Sequence, residues 1–453
     1  MFETVLIANR GEIAARIART CKEMGIHTIA IHSDADDGAP HTQIADESHH
    51  VGAPHVSESY LNQDKILEIA RATGAQAIHP GYGLLSEHAG FVRAVRDAGL
   101  TFIGPEPEVM ELMGDKAKAR SFAEQAGVPV VPGTPGPIAD EDAAVAFAEE
   151  AGYPVLVKAS GGGGGIGMKL AKKEKKLRKA VQECRRRGES AFDNPDVYVE
   201  KYIERPRHIE VQLIADAHGN VRHLFERECT VQRRHQKVIE EAPSPFMERF
   251  PALRAQMTSA AVALASASGY VNAGTVEFIV GEDGSFYFIE MNTRLQVEHP
   301  VTEMITGLDI VRLQLEVAAG GALPFAQSDL AIRGHAIECR IYAENPEKSF
   351  FPAPGQITTY VEPSGQGVRV DSGVSAGREV TSFYDPMISK VSTHGTDPAD
   401  PRGEAIAKML TALHSYEIGG LTHNISMHER ILTHDDFITG DVHTTWLEGL
   451  YKG

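Results

Sequence analysis

GTVEFIVGEDGSFYFIEMNTRLQVEHP, residues Gly274–Pro300, is the densest chemical pattern in this 453-residue chain. Two β-prone runs, Thr275–Val280 and Ser285–Glu290, flank Gly281-Glu282-Asp283-Gly284, which reads as a hairpin turn. Pairing Val280 with Ser285 sets Glu277 opposite Phe288 and leaves Glu290 on the Glu277 face, one diagonal away. If the chain stays extended beyond the hairpin, Glu290, Asn292, Arg294, Gln296 and Glu298 all point to one side. Met291, Thr293, Leu295 and Val297 point to the other, which suits a core. Two carboxylates and an amide oxygen are hard donors of the kind that hold Mg²⁺ against phosphate oxygens. The plainer reading of such a row is the wet face of an ordinary sheet. The mixture of acid, amide and guanidinium, running on past the hairpin, favours a place where metal, anion and general base meet.

The chain is too long for a single core, so roughly two to four domains are expected. Apolar content of 42% with 23% charged residues is that of a globular protein in water. The net charge of −18, from 44 basic and 62 acidic residues, argues against nonspecific nucleic-acid binding. Cys21, Cys184, Cys229 and Cys339 are scattered, with no C-x-x-C pair, which argues against a disulfide framework or a zinc site. No apolar run is long enough to span a bilayer. A strand-like run follows Met1 almost at once, leaving no room for a leader. The expectation is a cytoplasmic protein, or one in a compartment entered after cleavage of a segment this sequence does not contain.

In the N-terminal third, short apolar strands at Thr4–Ala8, Ile26–His32, Ala75–His79 and Thr101–Ile103 alternate with helices at Glu12–Met24, Ile66–Thr73 and Phe91–Ala98. That alternation predicts a parallel, doubly wound sheet. The first turn, Asn9-Arg10-Gly11, is not G-x-G-x-x-G, so a scaffold is expected rather than a dinucleotide site. Pro129–Pro137 punctuates the chain as a boundary. The strand Tyr153–Ala159, carrying Lys158, feeds Ser160 and the run Gly161–Gly167, interrupted by Ile166. A glycine run brings backbone N–H groups close to an anion and is supple enough for a closing lid. It lacks the Walker spacing. The plainer reading is a linker, but linkers seldom follow an apolar strand directly. Lys169–Arg187 holds ten Lys or Arg, read as the solvated face of a helix.

Further on, His208–Ala215 alternates polar and apolar and turns back into Val221–Phe225. Glu226–Lys237 then gathers acids, arginines and a histidine, read either as an exposed ionic loop or as donors for a polyanionic substrate. Phe246–Ser268 and Glu303–Ala319 read as helices, and Gly334–Glu344 as a strand with Arg340 and Glu338 on one face. Phe350–Lys390 is rich in Gly, Pro and Val and reads as a β-rich subdomain. Glu404–Tyr416 and Thr422–Leu432 close the chain as helices.

The block Glu290–Pro300 closely resembles the ATP-grasp core of biotin carboxylases, and the resemblance runs from about Thr4 to the final helix at Thr444–Leu450. It implies an α/β protein, α+β overall: a pre-ATP-grasp, Rossmann-like N-terminal domain (1–114), a mobile glycine-rich lid (115–204), and an ATP-grasp core with a β-rich C-terminal subdomain (205–453). It implies ATP- and bicarbonate-dependent carboxylation of biotin N1 on a carrier protein through carboxyphosphate, the first half-reaction of an acyl-CoA carboxylase. Glu277, Glu290 and Asn292 would hold two Mg²⁺ or Mn²⁺ ions. Lys116, Lys158, Gly163, Gly164, Gly165, Glu200, Lys201, Ile203, His208, Gln232, His235 and Ile279 would contact ATP. Lys237, Arg294, Gln296 and Val297 would fix bicarbonate, with Glu298 as general base, while Arg340 and Tyr82 would meet biotin. Most members carry Arg or Lys where this chain has Ile166, so one charge near the phosphates is missing or supplied by Lys169.

The stretches Gly367–Gly373 and Tyr384–Lys390 look most like α subunits of propionyl- or methylcrotonyl-CoA carboxylases. The resemblance therefore implies a biotin carrier and a carboxyltransferase (β) subunit as partners, in a homodimer or a larger α/β assembly. No Met-Lys-Met biotinylation site follows residue 440, so the expectation is a free-standing subunit or part of a longer chain. Two other readings compete. One is another ATP-grasp ligase, of the carbamoyl-phosphate or purine type. The other is a non-catalytic nucleotide sensor, against which the set Lys116, Lys158, Glu277, Glu290, Glu298 and Arg340 argues.

Overall fold

The computed structural model describes residues 1–159, 168–192 and 194–451; the glycine run expected as a lid, with Gly163, Gly164, Gly165 and Ile166, lies outside the described residues. The chain forms two compact units. One comprises Met1–Val128, Arg207–Phe278 and Ile289–Gly453, and the other Pro129–Pro206 and Ile279–Phe288.

The first unit opens with the expected parallel sheet, in the order Glu47–Gly52, His27–Ser33, Thr4–Ile7, Ala77–His79, Thr101–Phe102. This is the doubly wound order with the first strand central. The edge strand Glu47–Gly52 escaped the sequence reading because its ESHHVG is polar and largely exposed. Helix Gly11–Glu23 buries Ile13, Ala14, Ile17, Ala18 and Cys21 against the sheet, as its apolar spacing dictates. The Asn9 side-chain amide donates to the Pro80 and Tyr82 carbonyls at 2.6 and 2.8 Å, which ties the first βα turn to the loop bearing Tyr82. Gly81 in that loop has φ +62°, and a Cβ there would meet Asn9 Nδ2 at 2.9 Å, so only glycine fits.

The main sheet has eight strands, in the order Phe286–Asn292, Asn272–Val280, Arg207–Ala215, Val221–Arg233, Gln236–Ala242, His335–Tyr342, Met387–Gly395, Val368–Ser372. Glu226–Lys237 is therefore not an ionic loop. It belongs to two buried strands joined by Arg234-His235, both at positive φ (49° and 68°), as a tight hairpin requires. The charges go inside because a bulge between His223 and Glu226, with Phe225 at φ +68°, resets the register and pairs Arg227 with Glu210. The expected helix Glu303–Ala319 is two helices, His299–Thr306 and Ile310–Ala318. Gly307 at φ +74° ends the first, and the Asp309 side chain caps the second by accepting from Arg312 N–H. Helices Pro401–Ser415, Ile425–Leu432 and Trp446–Leu450 cover the far end of the sheet over a core that includes Ile337, Cys339, Ile341, Met409 and Leu432.

The opening hairpin forms, with one correction. Gly281 N–H donates to the Ser285 carbonyl at 2.8 Å and Gly284 N–H to the Gly281 carbonyl at 3.0 Å. With Gly284 at φ +81°, the loop is the three residues Glu282–Gly284 with a glycine bulge, closed at Gly281 rather than Val280. The strand also ends at Asn292, so the extended run to Glu298 does not exist. Glu298 sits instead at the start of helix His299–Thr306 with φ −82°, ψ 14°.

The second unit is a three-stranded antiparallel sheet, Met168–Ala171, Val155–Ala159 and Val197–Lys201, packed against helices Glu141–Ala151 and Glu174–Phe192. Leu177, Val181 and Cys184 are buried on the latter helix, while Lys172, Lys173, Lys175 and Lys176 beside its start are exposed, the solvated face the sequence predicts. All four cysteines are free and buried. Among the described residues no helix is long and apolar enough to cross a membrane.

Candidate active site

A cavity of about 640 Å³ opens in the first unit, within the size range of small-molecule sites. Glu277, Glu290, Asn292, Arg294 and Gln296 line it, so the polar row converges as far as Gln296; Glu298 does not line it, and Val297, expected on the core-facing side, does. His208, His235, Lys237, Arg340 and Tyr82 line it too, and Leu84, Phe383 and Met387 add apolar wall.

Lys237 is the electrostatic centre. Its ammonium donates to Glu210 at 2.6 Å, Glu298 at 2.7 Å and Glu277 at 2.8 Å, so its three protons meet three carboxylates. Glu210 is fully buried, and Arg227 Nε donates to it at 2.6 Å. Burial opposes ionisation of Glu277, but Lys237 and His208 outweigh it and hold its carboxyl well below the usual range. Glu298 is likewise held low, with burial overcome by Lys237, Arg340 and Arg227. Both are anions at neutral pH. Their charges in turn outweigh burial and raise the Lys237 ammonium well above its ordinary range. Removing one member of so buried a set strands the others, at a cost of about 3–5 kcal/mol.

Glu298 does not line the cavity. It is fully buried behind Lys237 and Arg340, both of which do. Arg340 donates through Nη2 to Glu298 at 2.9 Å and through Nε to Glu240 at 2.5 Å. Its carbonyl accepts from Asn424 Nδ2 at 3.0 Å and His428 Nε2 at 2.8 Å. Arg340 is thus buried and still lines the cavity.

Arg294 is held just as firmly. Nε donates to Glu87 at 3.0 Å, Nη1 to Gln296 Oε1 at 2.8 Å and Nη2 to Asn292 Oδ1 at 3.0 Å. Asn292 Nδ2 and Gln296 Nε2 donate to Glu277 Oε1 at 2.8 and 3.0 Å. His208 Nε2 lies 2.9 Å from Glu277 Oε2. Glu290 is part-exposed and 3.6 Å from the ammonium of Lys116, which is largely solvent-exposed on the first turn of a helix capped by Asp115. The Val297 carbonyl accepts from Lys390 Nζ at 2.7 Å; this lysine is fully buried and lies 3.2 Å from Glu12. Glu12 also accepts from the Tyr82 hydroxyl.

Not every expected contact gathers here. Gln232 is a buried strand residue outside the cavity lining. In the second unit Lys158 pairs with Glu200, Lys201 Nζ donates to the Gly152 carbonyl at 2.8 Å, and Ile203 packs near Gly281. Ile279 is half-buried in that unit. Sequence reasoning missed Glu87, Glu210, Arg227, Glu240, Lys390 and Glu12. Only the chain order of polar residues on two strands, Glu210 and Arg227, carried any local sign of them.

Comparison with known proteins gives concordant results. The model of the biotin carboxylase N-terminal domain matches residues 1–110, that of the carbamoyl-phosphate synthase L chain ATP-binding domain residues 115–326, and that of the biotin carboxylase C-terminal domain residues 338–449. The chain is 52% identical over 452 residues to a biotin carboxylase of Halalkalibacterium halodurans, covering 100% of this chain and 98% of that protein. It is 49% identical to the mitochondrial propionyl-CoA carboxylase α chain of Mus musculus, covering 99% of this chain and 62% of that one. A solved relative is the dimeric biotin carboxylase domain of Hydrogenobacter thermophilus 2-oxoglutarate carboxylase, in complex with MgADP, ADP and bicarbonate. It shares 46% identity and a TM-score of 0.86, covering 99% of this chain and 98% of that one.

Proposed function

The chain belongs to the biotin carboxylase family, an ATP-grasp ligase with biotin carboxylase activity, and we propose that the cavity around Lys237 is where bicarbonate is activated and biotin receives it. The observation that carries this reading is the convergence of Arg294, Gln296, Lys237 and Arg340 on one cavity above the buried Glu298.

Glu277, Glu290 and Asn292 all line the cavity, and their hard oxygens are donors of the kind that suit Mg²⁺, so they are the residues that would hold it. When bound, one or two Mg²⁺ or Mn²⁺ ions would neutralise charge on the ATP phosphates. Support for Mg²⁺ comes from the MgADP named for the Hydrogenobacter relative. Lys116, Lys158, Glu200, Lys201, Ile203, His208, Gln232, His235 and Ile279 are proposed nucleotide contacts on the strength of the family, as are Gly163, Gly164 and Gly165, which lie outside the described residues.

Bicarbonate is a poor electrophile until it is phosphorylated. Arg294, Gln296 and the Val297 N–H would orient it, and Lys237 would supply the opposing charge. Glu298, ionised, would take its proton as its oxygen attacks the γ-phosphoryl group, giving carboxyphosphate and ADP. Carboxyphosphate then splits to CO₂ and phosphate, phosphate takes the N1 proton of biotin, and N1 attacks CO₂. Arg340, with Tyr82 nearby, would stabilise the negative charge that develops on the ureido oxygen. Because Glu298 lies behind Lys237 and Arg340, bicarbonate reaches it only by parting one of those ion pairs.

The biotin is proposed to arrive on a carrier protein, with a carboxyltransferase subunit completing an acyl-CoA carboxylase of the propionyl or methylcrotonyl type. That assignment is supported by Gly367–Gly373, Tyr384–Lys390 and the propionyl-CoA carboxylase relative. A homodimer is supported by the dimer named for the Hydrogenobacter relative.

The test is steady-state ATP hydrolysis with bicarbonate and free biotin against ammonia or an amino acid. Turnover that requires bicarbonate and rises with biotin is expected. Turnover driven by ammonia would place the site among the carbamoyl-phosphate-type ligases instead.

A further inference from the structure

Beneath Arg340 lies a second pair of acids that the proposed chemistry does not use. Glu240 and Glu338 are direct cross-strand partners on Gln236–Ala242 and His335–Tyr342. Directly opposed residues of an antiparallel pair share a face, with Cβ atoms about 4.5–5.5 Å apart, and like charges there repel. Both side chains are wholly buried. Glu240 Oε1 accepts from Arg340 Nε at 2.5 Å, and Glu338 Oε2 accepts from Ser392 Oγ at 2.8 Å. The other two oxygens, Glu240 Oε2 and Glu338 Oε1, are buried with no hydrogen-bond partner among the described residues. Two opposed carboxylates, each with one orphaned acceptor, are what a single added proton satisfies. Shared between them, it would give the two unsatisfied oxygens an O–H···O⁻ bond and remove the repulsion.

The surroundings say where that proton sits. Arg340 from the same strand as Glu338 binds Glu240, while Lys237 and Glu298 are the other charges acting on Glu240. Lys390, from the neighbouring strand Met387–Gly395, is the cation nearest in effect to Glu338, but its ammonium is directed at the Val297 carbonyl and Glu12. Glu240 has a guanidinium bonded to it and Glu338 has only a hydroxyl. We propose that Glu240 and Glu338 hold one proton between them, resting on Glu338, and that ionised Glu240 is a positioning residue for the Arg340 guanidinium. Burial, opposed by Arg340 for the one and by Lys390 for the other, pushes the Glu240 and Glu338 carboxyls up to about 7 and about 8, the same direction the geometry requires. Arg340 already bridges Glu240 and Glu298, and a charge on Glu338 would add a third carboxylate competing for its guanidinium.

The proton assignment rests on the strands alone; its consequence for Arg340 rests on the function proposed above. Infrared difference spectra of the whole chain at pH 7, wild type minus Glu338→Gln, test the first. A carbonyl band of an un-ionised carboxylic acid is expected, shifted by ¹³C-glutamate labelling. It should shift in Glu240→Gln, where the protonated Glu338 faces a neutral amide in place of a carboxylate. Ser392→Ala, which deletes only the donor to Glu338, should move the band without abolishing it. No such band in wild type, or a band untouched by all three changes, overturns the shared proton whatever the enzyme's activity. Kinetics test the second part. Glu240→Gln should raise the KM for biotin by about tenfold or more, the loss of a charged hydrogen bond, while bicarbonate-dependent ATP hydrolysis persists. Glu338→Gln, equally buried and equally isosteric, should leave that KM unchanged. Equal KM effects from both would remove the positioning role and leave the proton standing.

Discussion

Glu298 carries opposite demands. Its position behind two cations keeps it ionised, as the proposed role of base requires, yet the same cations would make it a weak one. In that proposed role the bonds to Lys237 and Arg340 must loosen for its basicity to rise, so activation of the base and entry of bicarbonate would be one event. Glu298→Gln retains the size and the hydrogen-bonding oxygen but cannot take a proton. It should bind ATP normally and lose bicarbonate-dependent ATP hydrolysis by about 10²–10⁴-fold, the usual worth of a positioned base. Nucleotide binding by fluorescence and turnover in a coupled assay separate the two, and turnover within a few-fold of wild type would discard the assignment. Residues of this kind were legible because they lie close together in sequence: Glu290, Asn292, Arg294 and Gln296 announce one another. Their supports were not. Glu87 is 207 residues from Arg294, and Lys390 is 93 from Val297. A lone acid in a loop and a lone lysine on a strand have no pattern until the fold joins them.

Among elements, the periodic ones were readable and the interrupted ones were not. Helix Gly11–Glu23 and strand Arg207–Ala215 follow their apolar spacing closely. Glu226–Lys237 misled because strand periodicity assumes a uniform register, and the bulge at Phe225 breaks it, so a run of charges became the inside of a sheet. The helix expected at Glu303–Ala319 split at Gly307 because one αL glycine and an aspartate cap outweigh continuous apolar spacing. Close packing between elements is equally invisible in sequence. At Gly395 a Cβ would run into the Pro401 carbonyl oxygen and the Ala405 nitrogen of the helix that covers the sheet. Gly395→Ala should therefore lower stability by about 1–3 kcal/mol. The change would be read as a shifted urea midpoint at constant slope, and an unshifted midpoint would show that the helix is free to move away.

For the whole molecule, ion pairs buried deep in the sheet make stability sensitive to acid. Burial opposes ionisation of Glu241, but Arg402 and His335 overcome it and hold its carboxyl down at about 2. Arg402 Nε donates to it at 2.7 Å and also bonds the Phe437 and Ile438 carbonyls, linking the central sheet to the C-terminal helices. A carboxyl whose folded value lies below its unfolded one contributes stability above about pH 4.5. That contribution is lost as the pH falls toward about 2. Arg402→Ala should cost about 3 kcal/mol near neutrality and flatten this acid limb. Melting temperatures recorded from pH 7 to pH 3 would show it, and parallel curves for both proteins would refute it.

The burial of all four thiols turns the chain into its own clock. A folded molecule offers no sulfur to an alkylating reagent, so modification reports only opening. Cys184 times the smaller unit, and Cys21, Cys229 and Cys339 the larger one. Mass spectrometry of quenched samples would rank those openings residue by residue. Saturating nucleotide should slow them unequally if the two units respond to it separately, and a native protein alkylated within the mixing time would contradict the burial itself.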